Sequence, residues 1–132
     1  MEELGNAVDL GIHKPKVVCL CGSSKFRDVF NLLNFVESVA GNIVLSIAPF
    51  IGRQPTPHEK RVVDAVYFRK IDMADEILVI NVGGYVGIST TREIWYAKAS
   101  GKLIRWYDPS NIPILPDWTE AEWRAKAEEA TL

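Results

Sequence analysis

Four short apolar runs alternate with longer stretches of helical periodicity, and this alternation constrains the fold more than any other feature of the chain. Short apolar runs are typical of buried strands in a parallel sheet. The strands are predicted at residues 16–21, 42–47, 76–81 and 103–107, and the helices at residues 26–40, 59–74, 90–100 and 120–130. The pattern predicts an α/β domain, a flavodoxin-like or Rossmann-like three-layer sandwich with a parallel sheet of four to five strands. Right-handed crossovers favour the strand order 2-1-3-4.

Composition limits the number of domains and the classes of partner. The chain has 132 residues, of which 48% are hydrophobic and 24% charged, and these values predict one globular core. We assign residues 1–14 to an N-terminal arm and residues 15–132 to a single domain. The net charge of -2 creates no field for polyanions, which argues against a nucleic-acid partner. No apolar run approaches the roughly 20 residues that a membrane helix needs, so we expect no membrane partner.

The N-terminus and the cysteines bear on location and on metal binding. A signal peptide begins with a basic flank, whereas the start of this chain carries acidic residues, namely Glu2, Glu3 and Asp9. A cytoplasmic location is therefore expected. Cys19 and Cys21 alternate along the first predicted strand, which places them poorly for a mutual disulfide. No second Cys/His pair is present to complete a zinc site. The two cysteines are therefore interpreted as small core residues, and neither a metal nor a cofactor is predicted.

Two loops with binding-capable residues follow neighbouring strands of the predicted sheet. Residues 22–25 follow the first strand, and residues 83–91 follow the third. In open parallel sheets, ligands bind beyond the carboxyl ends of the strands where the strand order reverses. The order 2-1-3-4 brings both loops to that point, so the sequence predicts one ligand crevice between them. A third loop, residues 49–57, holds three prolines and is long enough to be a flexible flap over the crevice.

The first loop offers backbone and side-chain donors at the start of a helix. Gly22 permits close backbone approach, Ser23 and Ser24 supply hydroxyls, and Lys25 supplies a cation. Together they suit a phosphate or a sugar oxygen. The loop matches neither a Walker motif nor a G-x-G-x-x-G fingerprint. The alternative is that Ser23 or Ser24 is an ordinary helix cap and Lys25 is solvated.

The second loop combines hydroxyls with a carboxylate. Its candidate binding residues are Gly84, Tyr85, Gly87, Ser89 and Thr90, and Glu93 lies about one turn into the helix that follows. An anion-binding helix start beside a carboxylate favours chemistry at Glu93. The alternative is a capping box formed by Thr90 and Glu93. The ring of Tyr85 is a candidate for stacking on a nucleobase.

A family resemblance rests on three segments. They are Cys21-Gly22-Ser23, residues 71–80, and the pattern Gly87-x-Ser89-x-x-x-Glu93-Ile94-x-x-Ala97-x-x-x-Gly101-Lys102. Together they resemble the nucleoside 2-deoxyribosyltransferase superfamily, and the Cys-Gly-Ser start is most similar to its nucleoside 5′-monophosphate N-glycosidases. The resemblance covers residues 16–107. It implies cleavage of the bond between a base and C1′ of a sugar, a (deoxy)nucleoside or nucleoside 5′-monophosphate as the partner, and a homodimer or higher homo-oligomer.

The resemblance also implies roles for individual residues. Glu93 is similar to the nucleophile that attacks C1′ and forms a glycosyl-enzyme ester, which water or a second base then resolves. Ser23, Lys25 and Ser89 are similar to the phosphate-holding positions, and Thr90 is a weaker match. The family usually carries an aspartate eight residues before Asp75, where this chain has Tyr67. Asp64, one turn earlier, is the candidate substitute, and its alternative role is that of a solvated helix residue. Transferases of the family often have aspartate at the position of Gly87 and glycine at that of Ser89.

Two other functions stay open on the sequence. A non-catalytic nucleotide-binding module would keep the crevice without the family aspartate. A phosphoribohydrolase of the cytokinin-activating type is similar over residues 83–93, but its motif has a proline and a strict Gly-Thr that this chain lacks. The sequence leaves open the base, the sugar, and the choice between hydrolysis and transfer.

Overall fold

A computed structural model describes residues 14–131 of the chain. Four strands alternate with four helices: β1 (Val17–Cys21), α1 (Arg27–Val39), β2 (Ile43–Leu45), α2 (Pro57–Met73), β3 (Glu76–Val79), α3 (Ile88–Ala99), β4 (Leu103–Trp106) and α4 (Glu120–Thr131). Short 3₁₀ turns at Ser24–Phe26, Val82–Gly84 and Pro109–Asn111 follow β1, β3 and β4. The predicted arm, residues 1–14, lies outside the described residues except for Lys14.

All four strands are parallel and lie in the order β2-β1-β3-β4. β1 and β3 pair along the centre, with Cys21 opposite Val79. The predicted fold class and strand order are confirmed. The order reverses between β1 and β3, so the loops that leave these two strands share one edge of the sheet.

Helices cover both faces of the sheet, which makes three layers. On one face, Val18 and Leu20 of β1 and Leu78 of β3 pack with Phe30 of α1. Side chains that alternate with these along the strands point to the other face and pack against α2 and α3; they include Cys19, Cys21, Ile77 and Val79. α4 contacts α2 and α3 on that same face. Both cysteines are free and fully buried, as expected for core residues.

Two helices begin earlier than the sequence predicted. α2 begins at Pro57, because Thr56 and Glu59 form a capping box and proline fits the first helical position. α3 begins at Ile88, after the N-cap Gly87. The alternative in which Thr90 and Glu93 form a capping box is ruled out, since Gly87 is the N-cap and Thr90 is already inside the first turn of α3. Glu93 is therefore free of a capping role.

An ion network around two buried glutamates joins three elements at the amino ends of the central strands. Glu76, the first residue of β3, pairs with Lys16 at 2.8 Å and with Arg105 of β4 at 2.6 Å. Arg105 also pairs with Glu37 near the end of α1 at 2.6 Å. The bond from Arg105 lowers the pKa of Glu37. Burial acts to raise the pKa of Glu76, but the bonds from Lys16 and Arg105 outweigh it and the pKa is lowered.

Candidate active site

A cavity of about 830 Å³ opens at the carboxyl ends of β1 and β3. Its wall is formed by the two loops that leave these strands, by the first turns of α2 and α3, and by the loop after β2. The strands meet closely here: a Cβ on Gly22 would lie 2.9 Å from Cβ of Ile80. Only glycine fits this contact without a shift of β3, so Gly22 lets the first loop reach the crevice.

Glu93 lies in the second turn of α3 with its side chain in the cavity wall, partly accessible from the cavity. Burial raises the pKa of Glu93 to about 8, and the nearby carboxylate of Asp64 adds to the rise. The neighbouring Cys21 thiol and the charges of Arg92 and Lys60 lower the pKa, but by less. The carboxyl group therefore changes its charge close to physiological pH, which is a property of functional carboxyl groups.

Asp64 of α2 faces the same cavity. Its side chain is 25% exposed and pairs with Lys60 at 3.1 Å, one helical turn earlier. Its charge reaches Glu93 strongly enough to raise the pKa of that group. The structure thus brings the two candidate carboxyl groups to one cavity.

Tyr67 occupies the position where the resembled family usually carries an aspartate. Its ring is buried in the cavity wall, and its hydroxyl donates a hydrogen bond to the carbonyl of Leu20. Burial raises the pKa of the hydroxyl well above its ordinary value. Because the proton of this hydroxyl is committed to the backbone of β1, Asp64 rather than Tyr67 is the second candidate polar group for a ligand.

The first loop contributes its small residues but not its cation. Gly22, Ser23 and Ser24 line the cavity. Ser23 also caps the 3₁₀ turn, where its Oγ accepts the N–H of Lys25 at 3.3 Å. Lys25 lies outside the cavity wall: its Nζ is 3.5 Å from the centroid of the Tyr85 ring, on the exposed surface. Lys25 is therefore the one residue of the predicted loop that does not line the cavity.

The second loop supplies four of its five predicted binding residues to the cavity. Tyr85, Gly87, Ser89 and Thr90 line it, and the ring of Tyr85 is 45% exposed. Gly84 does not line the cavity. Its φ of +80° lies in the left-handed region that favours glycine, and a Cβ there would lie 3.4 Å from the carbonyl oxygen of Asn111.

The first turn of α3 has hydrogen-bond donors that are open to an acceptor group of a ligand. Gly87 caps it without a side-chain hydrogen bond, so the first backbone N–H groups of the helix are open to a ligand. Ser89 Oγ accepts a hydrogen bond from Arg92 at 3.0 Å, which leaves the Ser89 hydroxyl proton for another partner. Arg92 therefore holds Ser89 in place.

Sequence reasoning missed several residues of the wall. The loop after β2 and the first turn of α2 contribute a second set, which includes Phe50, Arg53, His58 and Lys60, and α1 contributes Arg27. The loop at residues 49–57 was predicted to be a flap over the crevice, but its side chains were not selected. His58 lies in the first turn of α2 and is exposed. Arg27 follows Ser23 and Ser24 by one helical turn, a spacing that the sequence could have revealed.

Comparison of the chain with protein-family models and with curated proteins finds no match. In the part of the chain that the structure describes, no helix combines the length and hydropathy of a membrane span. The described residues also contain no group of three or more His, Cys, Asp or Glu side chains arranged to hold a metal ion.

Proposed function

We propose that the chain cleaves the N-glycosidic bond of a (deoxy)nucleoside or nucleoside 5′-monophosphate, by hydrolysis or by deoxyribosyl transfer. The observation that carries the proposal is the side chain of Glu93 in the wall of a cavity that both serine-bearing loops share. A volume of about 830 Å³ lies in the range of small-molecule sites, which run from about 300 to 1,000 Å³. The proposal is consistent with the motifs that resemble the deoxyribosyltransferase superfamily.

In the proposed reaction, the ionised carboxylate of Glu93 attacks C1′ of the sugar. The C1′–N bond breaks, its electron pair goes to the base, and the base takes up a proton from Asp64 or from solvent. Water or a nitrogen of a second base then attacks C1′ of the glycosyl ester and loses a proton to Asp64 or to solvent, the ester C1′–O bond breaks, and the carboxylate of Glu93 is restored. Asp64 is the second carboxyl group of this mechanism, and it either holds a sugar hydroxyl or protonates the leaving base.

A 5′-phosphate is expected to improve binding. The hydroxyls of Ser23 and Ser89 and the open N–H groups at the start of α3 are donors on the cavity wall. Each charge-assisted contact of this kind contributes on the order of 1.5–3 kcal/mol. These donors support a nucleoside 5′-monophosphate over the free nucleoside as substrate.

Release of free base is the direct test. The purified chain is incubated with matched pairs of nucleosides and nucleoside 5′-monophosphates, and free base is measured by chromatography. We expect release from at least one pair, faster from the monophosphate. Adding a second free base separates the two reactions, since a transferase produces a new nucleoside and a hydrolase produces free sugar. Absence of release from every pair, at concentrations where binding is measured, would contradict the proposal.

A non-catalytic nucleotide-binding module is the second candidate function. It is favoured by the tyrosine at the position of the family aspartate, whose hydroxyl is bonded to the backbone. It predicts binding of nucleoside monophosphates without base release, so the same assay separates it from the glycosidase.

The proposal includes a homodimer or higher homo-oligomer and a cytoplasmic location. α1 presents an apolar stripe at helical spacing, and its side chains Leu32, Phe35, Val36 and Val39 are between 47% and 71% exposed. A second copy that covers this stripe is consistent with the assembly that the resemblance implies. Light scattering on the purified chain tests it, and a monomer at high micromolar concentration would contradict it.

The free thiols of Cys19 and Cys21 are consistent with a reducing compartment.

A further inference from the structure

Arg27 connects the first loop to the rim of the cavity. It is the first residue of α1, one turn after the two serines, and its side chain lines the cavity. Its Nη1 donates a hydrogen bond to the carbonyl of Ala48 at 3.0 Å, and its guanidinium lies 5.7 Å from the centroid of the Phe50 ring. One nitrogen of the guanidinium is thus fixed against the proline-rich loop, and its other donors remain for a ligand.

The charges of the cavity wall single out Arg27. Arg53 forms two bonds with Glu59, at 2.7 and 3.0 Å, and Lys60 pairs with Asp64 at 3.1 Å. Among the side chains that the structure describes, no carboxylate forms an ion pair with Arg27. The arginine and lysine charges on the wall are therefore neutralised except at Arg27.

Lys25 has a different environment. Its ammonium lies over the Tyr85 ring, with the Phe26 ring 5.2 Å away, and the side chain is exposed to solvent. Moving it into the cavity would break a cation–π contact of about 0.5–1 kcal/mol. A surface ammonium is also screened by salt more than a group inside a cavity.

We propose that Arg27, and not Lys25, binds the anionic group of the ligand, together with the hydroxyls of Ser23 and Ser24. The inference rests on the proposed function and deepens it, because it assigns the residue that distinguishes a nucleoside 5′-monophosphate from a nucleoside. Guanidinium presents a planar set of donors that matches two phosphate oxygens at once, whereas ammonium acts as a point charge. The bond to Ala48 holds the guanidinium in place before the ligand arrives.

Binding measurements without turnover test the assignment. The Glu93→Gln protein is the background without turnover, and each further substitution is added to it. Calorimetry then measures the affinity of each double variant for a nucleoside and for its 5′-monophosphate. Arg27→Met is expected to weaken binding of the monophosphate about 10- to 100-fold and to leave nucleoside binding within about twofold. The matched variant Lys25→Met is expected to change both affinities by less than about threefold. Arg27→Lys keeps the charge but not the two-point geometry, so an intermediate loss is expected.

The outcomes separate this inference from the proposed function. A loss of monophosphate binding in Lys25→Met, or an equal loss of nucleoside and monophosphate in Arg27→Met, would overturn the role of Arg27. So would the failure of the Glu93→Gln protein to bind any monophosphate. If monophosphate binding depends on Arg27 but no base is ever released, the glycosidase proposal fails and the Arg27 assignment stands. Thermal melting of each variant, and the retained nucleoside affinity, control for loss of the fold.

Discussion

Replacing Glu93 with glutamine is expected to reduce the rate of base release by about 10³-fold or more. An amide has almost the size of the carboxyl group but cannot form the glycosyl ester, so the covalent step is lost. Ligand binding is expected to change by less than about tenfold, because the proposal assigns the phosphate and base contacts to other residues. Base release under saturating substrate measures the first effect, and calorimetry measures the second.

The stability of the Glu93→Gln variant provides the control for folding. The pKa of Glu93 in the folded chain, about 8, lies above the ordinary value of 4.5. The folded state therefore holds the proton more tightly, and the stability of the natural chain falls as the pH rises from about 4.5 to about 8. The glutamine variant lacks this loss, so it is expected to be more stable than the natural chain at pH 8, by on the order of a few kcal/mol. A variant that is stable, binds ligand and still releases base at the natural rate would show that Glu93 is not the nucleophile.

The second large effect concerns the pH dependence of kcat/KM. In the proposed mechanism only the ionised form of Glu93 attacks C1′, and burial, with a smaller contribution from the Asp64 charge, raises the pKa of Glu93 to about 8. We therefore expect kcat/KM to rise roughly tenfold per pH unit below this value and to level off above it. A nucleoside without a phosphate is the substrate of choice, because a phosphate itself titrates near pH 6. A rate that falls between pH 6 and 8 would instead indicate that the protonated carboxyl group is the active form.

A pair of aspartate variants on α2 tests the cause of this pH dependence. The Asp64 carboxylate raises the pKa of Glu93, so Asp64→Asn is expected to move the midpoint of the profile to lower pH. Asp72→Asn is the matched control: Asp72 lies on the same helix and, like Asp64, pairs with a basic residue of the preceding turn, here Arg69 at 3.1 Å, but it does not line the cavity. Its profile is expected to coincide with that of the natural chain. A midpoint unchanged in Asp64→Asn would mean that the two carboxyl groups do not interact.

The architecture of the chain could be predicted because its signals are local. The element order follows from apolar runs of strand length, from the short connections, and from glycines at helix ends, namely Gly41 and Gly101. The strand order follows from the handedness of crossovers. The Thr56–Glu59 capping box and Pro57 could also have given the true start of α2. The start of α3 was harder to locate, because Gly87 caps it without the side chain that usually marks a helix start.

The side-chain directions at the site could not be predicted in the same way. Lys25 was chosen as the phosphate cation by its place in the motif, but its Nζ lies over the Tyr85 ring, and Arg27 lines the cavity instead. The contact of Lys25 with Tyr85 joins residues about 60 positions apart, so no local sequence signal marks it. Likewise, the hydrogen bond that commits Tyr67 to Leu20 joins α2 to β1 and leaves no local signature.

The ion network of Lys16, Glu37, Glu76 and Arg105 lies at the edge of the sheet opposite to the cavity. The charges that anchor α1, β3 and β4 to one another are thus distinct from the charges that meet a ligand. Substitutions in the loops can therefore alter which molecule binds in the cavity while the ion pairs that stabilise the domain stay intact. Because stability and ligand selectivity rest on different residues, substitutions that change selectivity in this small domain do not first need a compensating gain in stability.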